Sequence, residues 1–231
     1  MDTTDKKAKI RILRNGPYQV TGSVPLDERI IRPEGKHYRY EPGRSWPLKE
    51  TCLLCRCGHT STPPFCDGAH RAAGFDGTEC ASREPFVSRA RVFEGKEMDL
   101  LDDGRCAYAR FCHREAGTAW SLLPETGDPE LRSEAVTAAV ECPAGRLVPR
   151  DHQGNLVEPE LPPAIHLLQD PEKGVSGGLA VEGDILLESC DGTLYEPSNR
   201  RVLCRCGKSS NLPFCDAAHG PSGFRDDGLP E

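Results

Sequence analysis

The stretch LCRCGHTSTPPFCDGAH at residues 54–70 returns as LCRCGKSSNLPFCDAAH at residues 203–219, without an insertion in either copy. The likeness extends upstream, where Val20-Thr21-Gly22 resembles Val181-Glu182-Gly183. Short alternating segments before the cysteines, 9–20 in one copy and 178–187 in the other, predict β-strands. An internal repeat of this kind predicts two copies of one small β-rich unit, one towards each end of the chain.

The first copy carries twelve additional residues before its cysteines, around residues 32–46. Charged residues, glycine and proline are frequent there, which predicts a loop. Asp191-Gly192 in the second copy predicts a hairpin turn.

The composition excludes several classes of protein. The chain has 231 residues, a net charge of −7, 37% hydrophobic residues, 23 glycines, 20 prolines and twelve cysteines. It has no run of about 18 apolar residues, so we expect no membrane span, and its acidic balance argues against nucleic-acid binding. The start lacks an apolar signal region, which predicts a cytoplasmic protein. Many cysteines without such a signal favour metal or redox chemistry over a disulfide scaffold.

Each copy spaces its cysteines and histidine as C-x-C-x8-C-x3-H. Cys66 and His70 are four residues apart, so a short helix capped by Asp67 and ended by Gly74 would place both on one face. A bending loop after Gly58 would return the chain to the C-x-C hook. Four ligands can therefore converge in each copy: Cys55, Cys57, Cys66 and His70 in the first, and Cys204, Cys206, Cys215 and His219 in the second.

Three thiolates and one imidazole suit two kinds of centre. Structural zinc sites are often Cys3His, although their usual hook is C-x2–4-C and the hook here is C-x-C. Iron–sulfur clusters also take thiolates, and histidine substitutes for cysteine in some of them. Ligand chemistry alone leaves zinc and iron–sulfur about equally favoured, with a disulfide or free thiols well behind.

The remaining positions resemble the CDGSH, or mitoNEET-like, iron–sulfur family. Its pattern C-x-C-x2-[S/T]-x3-P-x-C-D-G-[S/A/T]-H is followed in the first copy by Cys55, Cys57, Thr60, Pro64, Cys66, Asp67, Gly68, Ala69 and His70. In the second copy it is followed by Cys204, Cys206, Ser209, Pro213, Cys215, Asp216, Ala218 and His219, with Ala217 where the family has glycine. An alanine there would be strained if the backbone needs a positive φ.

This resemblance implies one [2Fe–2S] cluster for each motif. In each copy the two hook cysteines would bind one iron, and the last cysteine and the histidine would bind the other. Members with a single motif pair as homodimers, so a chain with two motifs is expected to be a monomer with internal pseudo-two-fold pairing. Three thiolates leave the oxidised site one unit negative. The potential is therefore expected between the plant-type ferredoxins, near about −400 mV, and the Rieske centres, above about −150 mV.

Three further cysteines lie between the copies: Cys106, Cys112 and Cys142. Asp128 and Pro129 predict the start of a helix that Pro143 would end. The spacing resembles a divergent single-cluster ferredoxin domain with Ala109 at the missing middle cysteine. That resemblance implies a [3Fe–4S] cluster, or a four-iron cluster completed by His113. Because the full ligand set is absent, we predict instead a cluster-free relic fold with buried cysteines.

These observations predict an α+β, β-rich protein in three parts: CDGSH-type domains at 1–83 and 161–231, and a ferredoxin-like segment at 84–160. The predicted function is electron transfer or cluster transfer to a redox or cluster-acceptor protein. The alternative is a structural zinc module that binds a protein partner. No catalytic pattern is visible, so we predict no enzyme activity. Cys52, Cys80 and Cys190 have no partner pattern, and Phe65 and Phe214 are expected to cover the clusters.

Overall fold

A computed structural model describes residues 8–230. Within this range the chain is β-rich, with three sheets and few helices. The strands are β1 Lys9–Ile12, β2 Tyr18–Thr21, β3 Leu26–Glu34, β4 His37–Trp46, β5 Thr51–Leu54, β6 Arg91–Phe93, β7 Met98–Asp102, β8 Leu147–Asp151, β9 Ala164–Asp170, β10 Val175–Glu182, β11 Leu186–Glu188 and β12 Arg200–Leu203. The helices are α1 Ala69–Ala72, α2 Phe86–Arg89 and α3 Pro129–Val140, with a 3₁₀ helix at Leu123–Glu125. No helix in this range is long and apolar enough to cross a membrane.

The two copies exchange a strand. One sheet has the order β11-β1-β2-β5, and the other has the order β12-β10-β9-β3-β4. Strand β11 of the second copy pairs in parallel with β1, at Ile10–Leu187, and β3 of the first copy pairs in parallel with β9, at Leu26–Ile165. The antiparallel pairs also correspond, with Ile10 opposite Val20 in one sheet and Ile165 opposite Val181 in the other. Each sheet therefore repeats the other's register and is completed by its partner copy.

One apolar core serves both copies. Both sheets contribute to a single cluster of buried side chains that includes Ile10, Tyr18, Leu54, Ile165, Leu179, Leu203 and Phe214. Tyr18 is fully buried, and its hydroxyl donates to the carbonyl oxygens of Cys204 at 2.8 Å and Pro213 at 3.1 Å. A side chain of the first copy thus supports the cysteine loop of the second. Neither copy can bury its apolar face without the other.

Two predictions about strands were wrong. Residues 32–46 are not a loop, because β3 and β4 form a hairpin that turns at Gly35. Strand β4 lies at a sheet edge, where prolines and charged side chains are tolerated. The predicted strand 178–187 is two strands, β10 and β11, which lie in different sheets on either side of Gly183.

The middle segment has its own small sheet, in the order β6-β7-β8, against which α3 and the 3₁₀ helix pack. The predicted cap is confirmed, since Asp128 Oδ1 accepts from the amides of Glu130 and Leu131 at 2.8 and 3.2 Å. Arg200 of the second copy joins this segment to the rest, because its Nη1 donates to the carbonyls of Ala139, Val140 and Cys142. The ferredoxin-like resemblance and the domain boundaries stay predictions.

Candidate metal centres

The first ligand set lies where β5 ends. The chain passes through the hook, turns at Gly58 with φ 78°, and returns beside β5. Two backbone hydrogen bonds fix this return, Cys55 N to Pro64 O at 2.8 Å and Cys66 N to Leu53 O at 2.9 Å. The Sγ atoms of Cys55 and Cys57 are 3.7 Å apart, and Cys66 Sγ is 3.5 Å from Nδ1 of His70. The return loop therefore places Cys66 beside the end of β5, where the hook begins.

Asp67 holds this loop closed from inside. One carboxylate oxygen accepts from the amide and hydroxyl of Ser61, both at 2.8 Å, and the other accepts from the amide of Ala69 at 2.9 Å. These bonds lower the pKa of Asp67 well below its usual range. The predicted helix exists as the single turn α1, but its N-cap is Gly68 and not Asp67. Gly74, with φ 59°, follows the helix end as predicted.

The second ligand set repeats this construction after β12. Cys204 N donates to Pro213 O at 2.8 Å, and Cys215 N donates to Val202 O at 2.9 Å. The sulfurs of Cys204 and Cys206 are 3.6 Å apart, and Cys215 Sγ is 3.5 Å from Nδ1 of His219. Asp216 accepts from Ser210 and Ala218 as Asp67 does from Ser61 and Ala69. Both sites therefore present their donors as one Cys–Cys pair and one Cys–His pair.

The alanine at position 217 takes a positive φ. Its φ is 70°, and the equivalent Gly68 has φ 92°. A left-handed conformation costs a non-glycine residue roughly 1–2 kcal/mol, part of which is offset because alanine restricts the unfolded chain more than glycine. The strain expected from the sequence is therefore present in the second site.

We expect Ala217→Gly to stabilise the protein by about 0.5–1 kcal/mol, which is roughly 2 °C in Tm for a chain of this size. Gly68→Ala is the matched reverse substitution, because a Cβ at Gly68 would meet nothing within 4 Å. It should lower Tm by a similar amount. Thermal unfolding of the two variants under anaerobic conditions tests this, and shifts of the same sign in both would contradict it.

Two buried arginines were missed as functional residues. Arg56 and Arg205 stand between the hook cysteines and are 1% and 3% exposed. Arg56 donates to the carbonyls of Leu13, Gly16 and Gly77. Arg205 donates to Gly177 O at 2.8 Å and pairs with Asp226. The signal was available, since arginine occupies the same position in both hooks.

The two hooks touch each other. Cys57 and Cys206 form an antiparallel backbone bridge that joins the copies. A Cβ on Gly58 would lie 2.6 Å from the carbonyl oxygen of Cys206, and one on Gly207 would lie 2.5 Å from that of Cys57. Glycine is required at both positions, because each combines a positive φ with this close approach.

The sites differ in exposure. Cys66 and His70 are half-buried and line an open depression with Arg14, Leu53 and Phe75. Cys215 and His219 are each 4% exposed. Cys215 packs with Ala107 and Ala144 of the middle segment. That segment therefore covers the second site and leaves the first open to solvent.

Burial sets the protonation of the donors before any metal binds. It raises the pKa of the Cys57 thiol to about 11 and that of Cys215 to about 12. The hydrogen bond from Cys206, followed by backbone amides, lowers the pKa of Cys204. Burial also lowers the pKa of His219, which keeps its ring neutral and able to bind a metal. Because a metal must displace protons from the thiols whose pKa is raised, metal binding is expected to weaken in acid.

Both copies match one family model, described as iron-binding zinc finger, CDGSH type, over residues 15–71 and 176–220. The chain therefore carries two copies of the CDGSH-type motif. No curated protein and no solved structure matches the chain.

The donors fit the clusters that these two motifs imply. Two donors bound to one metal at about 2.3 Å in tetrahedral geometry lie roughly 3.7 Å apart. The pairs Cys55–Cys57 and Cys204–Cys206 have this spacing, and each site has a second pair for a second metal. Backbone amides also point at the sulfurs, for example Ala217 N at Cys215 Sγ. Two CDGSH motifs thus imply two iron–sulfur clusters.

The middle cysteines do come together. Cys106, Cys112 and Cys142 line one small cavity, and the other two sulfurs help burial to raise the pKa of Cys112 to about 11. The cavity has room for about one water molecule. His113 is exposed and does not line it. The spacing predicted this convergence, and the cluster-free fold stays a prediction.

The remaining predicted residues lie elsewhere. Cys80 is exposed, while Cys52 and Cys190 are partly buried, and all three are free thiols. Phe65 and Phe214 do not cover the ligand sets as expected. They turn into the shared core, where their rings meet Trp46 and Tyr195 edge to face.

Proposed function

We propose that this protein holds two [2Fe–2S] clusters and passes electrons or clusters to a protein partner. Cys55, Cys57, Cys66 and His70 would hold the first, and Cys204, Cys206, Cys215 and His219 the second. The observation that carries the proposal is the arrangement of each donor set as a Cys–Cys pair beside a Cys–His pair. When bound, such a centre accepts and releases one electron at a time.

The chain's own residues support this role in two ways. Arg56 places a buried guanidinium behind the first hook, which offsets the negative charge of its three thiolates and favours the reduced state, whereas the charge of Arg205 is compensated by Asp226. The strand exchange and the bridge between Cys57 and Cys206 hold the two sites side by side. We therefore propose a monomer in which the copies pair as two chains of a homodimer would.

The two ligand sets differ in solvent exposure, which favours different roles for the two sites. The depression beside His70 gives a partner access to the first ligand set, and Arg14 and Arg71 line it. The second set is buried beneath the middle segment. We propose that exchange with the partner takes place at the first site while the second site is retained. The function includes no chemistry on a small substrate.

Metal analysis tests the proposal. We expect four iron and four sulfide per chain and a rhombic EPR signal after reduction, since only the two repeats load. Cys55→Ser and Cys204→Ser should each lose about half of the iron. Cys190→Ser is the control and should keep all four. About seven iron would place a three-iron cluster on Cys106, Cys112 and Cys142.

The zinc alternative makes the opposite prediction. A zinc module is colourless and holds one metal in each site. Protein prepared anaerobically with ample iron that still contains only zinc would overturn the proposal. Transfer of the cluster to an apo-ferredoxin, compared with reduction of cytochrome c, separates cluster donation from electron transfer. In both assays Cys55→Ser should reduce the rate more than Cys204→Ser does, because exchange is proposed at the first site.

A further inference from the structure

A cavity of about 200 Å³ lies where the two copies meet the middle segment. Its lining comes from residues 82–89, from Asp103 and Arg105 of the middle segment, and from residues 195–202. Phe214 also lines it and directly precedes Cys215. The cavity contains none of the eight proposed cluster ligands, so the function above leaves it unexplained.

The cavity holds more positive charge than its own carboxylates neutralise. Five arginines line it, and four of them lie within 4 Å of a carboxylate: Arg83 with Glu79 at 3.7 Å, Arg89 with Asp103 at 2.9 Å, Arg105 with Asp103 at 3.8 Å, and Arg200 with Glu158 at 2.7 Å. Glu196 also lines the cavity but is bound to Arg89 and to the amide of Phe86. Glu84, the remaining carboxylate of the lining, is exposed.

Arg201 is the fifth arginine of the lining. It is 3% exposed and has no carboxylate within 4 Å among residues 8–230. Its Nη2 donates to Ser198 O at 2.8 Å, while its buried Nε donates to no protein atom in that range. A buried charge without a partner is costly, and so is a buried donor without an acceptor. Both deficits would be met by one anion in the cavity.

Arg105 shares its only nearby carboxylate among residues 8–230 with another arginine. Its nearest carboxylate oxygen, on Asp103, is 3.8 Å away and already accepts from Arg89. Its guanidinium lies 4.0 Å over the ring of Phe214. Burial and then repulsion from Arg89 lower the pKa of Arg105. Burial lowers the pKa of Arg201 to about 10; the charge of Asp184 opposes this shift and that of Arg105 adds to it. Both arginines stay protonated at pH 7.

We propose that Arg105 and Arg201 bind a small divalent oxyanion of the phosphate or sulfate class in this cavity. A guanidinium presents parallel N–H donors that match the edge of such an anion. The volume suits an inorganic oxyanion and is smaller than the roughly 300–1,000 Å³ typical of pockets for larger organic ligands. Because Arg105 stacks on Phe214, the bound anion would brace the loop that carries Cys215.

Calorimetric titration of the cluster-loaded full chain with inorganic phosphate, at constant ionic strength, tests this. We expect saturable binding of one phosphate per chain, competition by sulfate, and a Tm that rises with phosphate concentration. Arg201→Gln should weaken binding at least about tenfold, because a charge-assisted hydrogen bond is lost. It should not lower Tm in the absence of anion, since the uncompensated charge is removed as well.

Arg105→Gln is the second variant, in case Arg201→Gln does not fold, and it should also weaken binding. Arg32→Gln is the matched control, because Arg32 pairs with Glu41 on the outer hairpin and lies outside the cavity. It should bind phosphate as the wild type does. Absence of saturable binding in the wild type would overturn the proposal. So would unchanged affinity in the Arg105 and Arg201 variants, or an equal effect of chloride.

Discussion

Gly58→Ala should disrupt both metal sites at once. The new Cβ would lie 2.6 Å from the carbonyl oxygen of Cys206 and 2.9 Å from its carbonyl carbon, and the bridge between Cys57 and Cys206 prevents these backbone atoms from moving aside independently. Strain of this kind in a packed site, added to the positive φ, is expected to exceed about 3 kcal/mol. We expect purified Gly58→Ala to lose iron from both sites, although only the first motif is altered.

The matched control is Gly104→Ala. Gly104 has φ 79°, against 78° for Gly58, but a Cβ there would meet nothing within 4 Å. It therefore carries the conformational penalty alone, roughly 1–2 kcal/mol. Iron and sulfide content and far-UV circular dichroism of both variants provide the measurement. If Gly58→Ala kept four iron per chain, or lost only the two of the first site, the bridge between the hooks would not couple the copies.

Gly207→Ala is the equivalent change in the second copy, where the Cβ would lie 2.5 Å from Cys57 O. The pseudo-symmetry predicts the same outcome for it. A clear difference between the two variants would show that the copies depend on each other unequally.

The local parts of this structure were predictable from the sequence. The hook, the return loop and the pairing of Cys66 with His70 lie within sixteen residues, and the repeat itself identified the equivalent donors. The backbone strain at Ala217 was predictable because the equivalent residue in the first copy, Gly68, is a glycine. Short-range geometry of this kind depends on residue spacing and on the backbone preferences of each residue type, and both can be seen in one amino-acid sequence.

The long-range parts of the structure were not predictable from the sequence. Strand β3 could pair within its own copy or complete the sheet of the other copy, as it does with β9. The local sequence does not distinguish these arrangements, because both bury the same alternating side chains. The composition of residues 32–46 predicted a loop. It did not exclude a strand, because an edge strand such as β4 tolerates prolines and charges. The cationic cavity could not be inferred either, since Arg105 and Arg201 meet only after three separate segments pack together.

Replacing either histidine by cysteine should slow the loss of its cluster in acid. A histidine binds metal only while neutral, and burial lowers the pKa of His219 below its ordinary value of about 6.5. The stability it contributes is therefore complete above about pH 6.5 and is lost as the pH falls through that lowered pKa. His70 is half-buried beside an open depression, so in the wild type the first site should bleach before the second.

At pH 5.5 we expect His70→Cys to lengthen the half-life of the fast phase of visible absorbance roughly tenfold, because a thiolate stays bound to iron at lower pH than an imidazole does. His219→Cys should lengthen the slow phase alone. Each variant adds one negative charge to its cluster, so that potential should fall towards about −400 mV while the other stays unchanged. His152→Cys, at an exposed position in the middle segment, controls for the added thiol. If neither phase changes, the histidines are not ligands, and the division of each donor set into a Cys–Cys and a Cys–His pair is wrong.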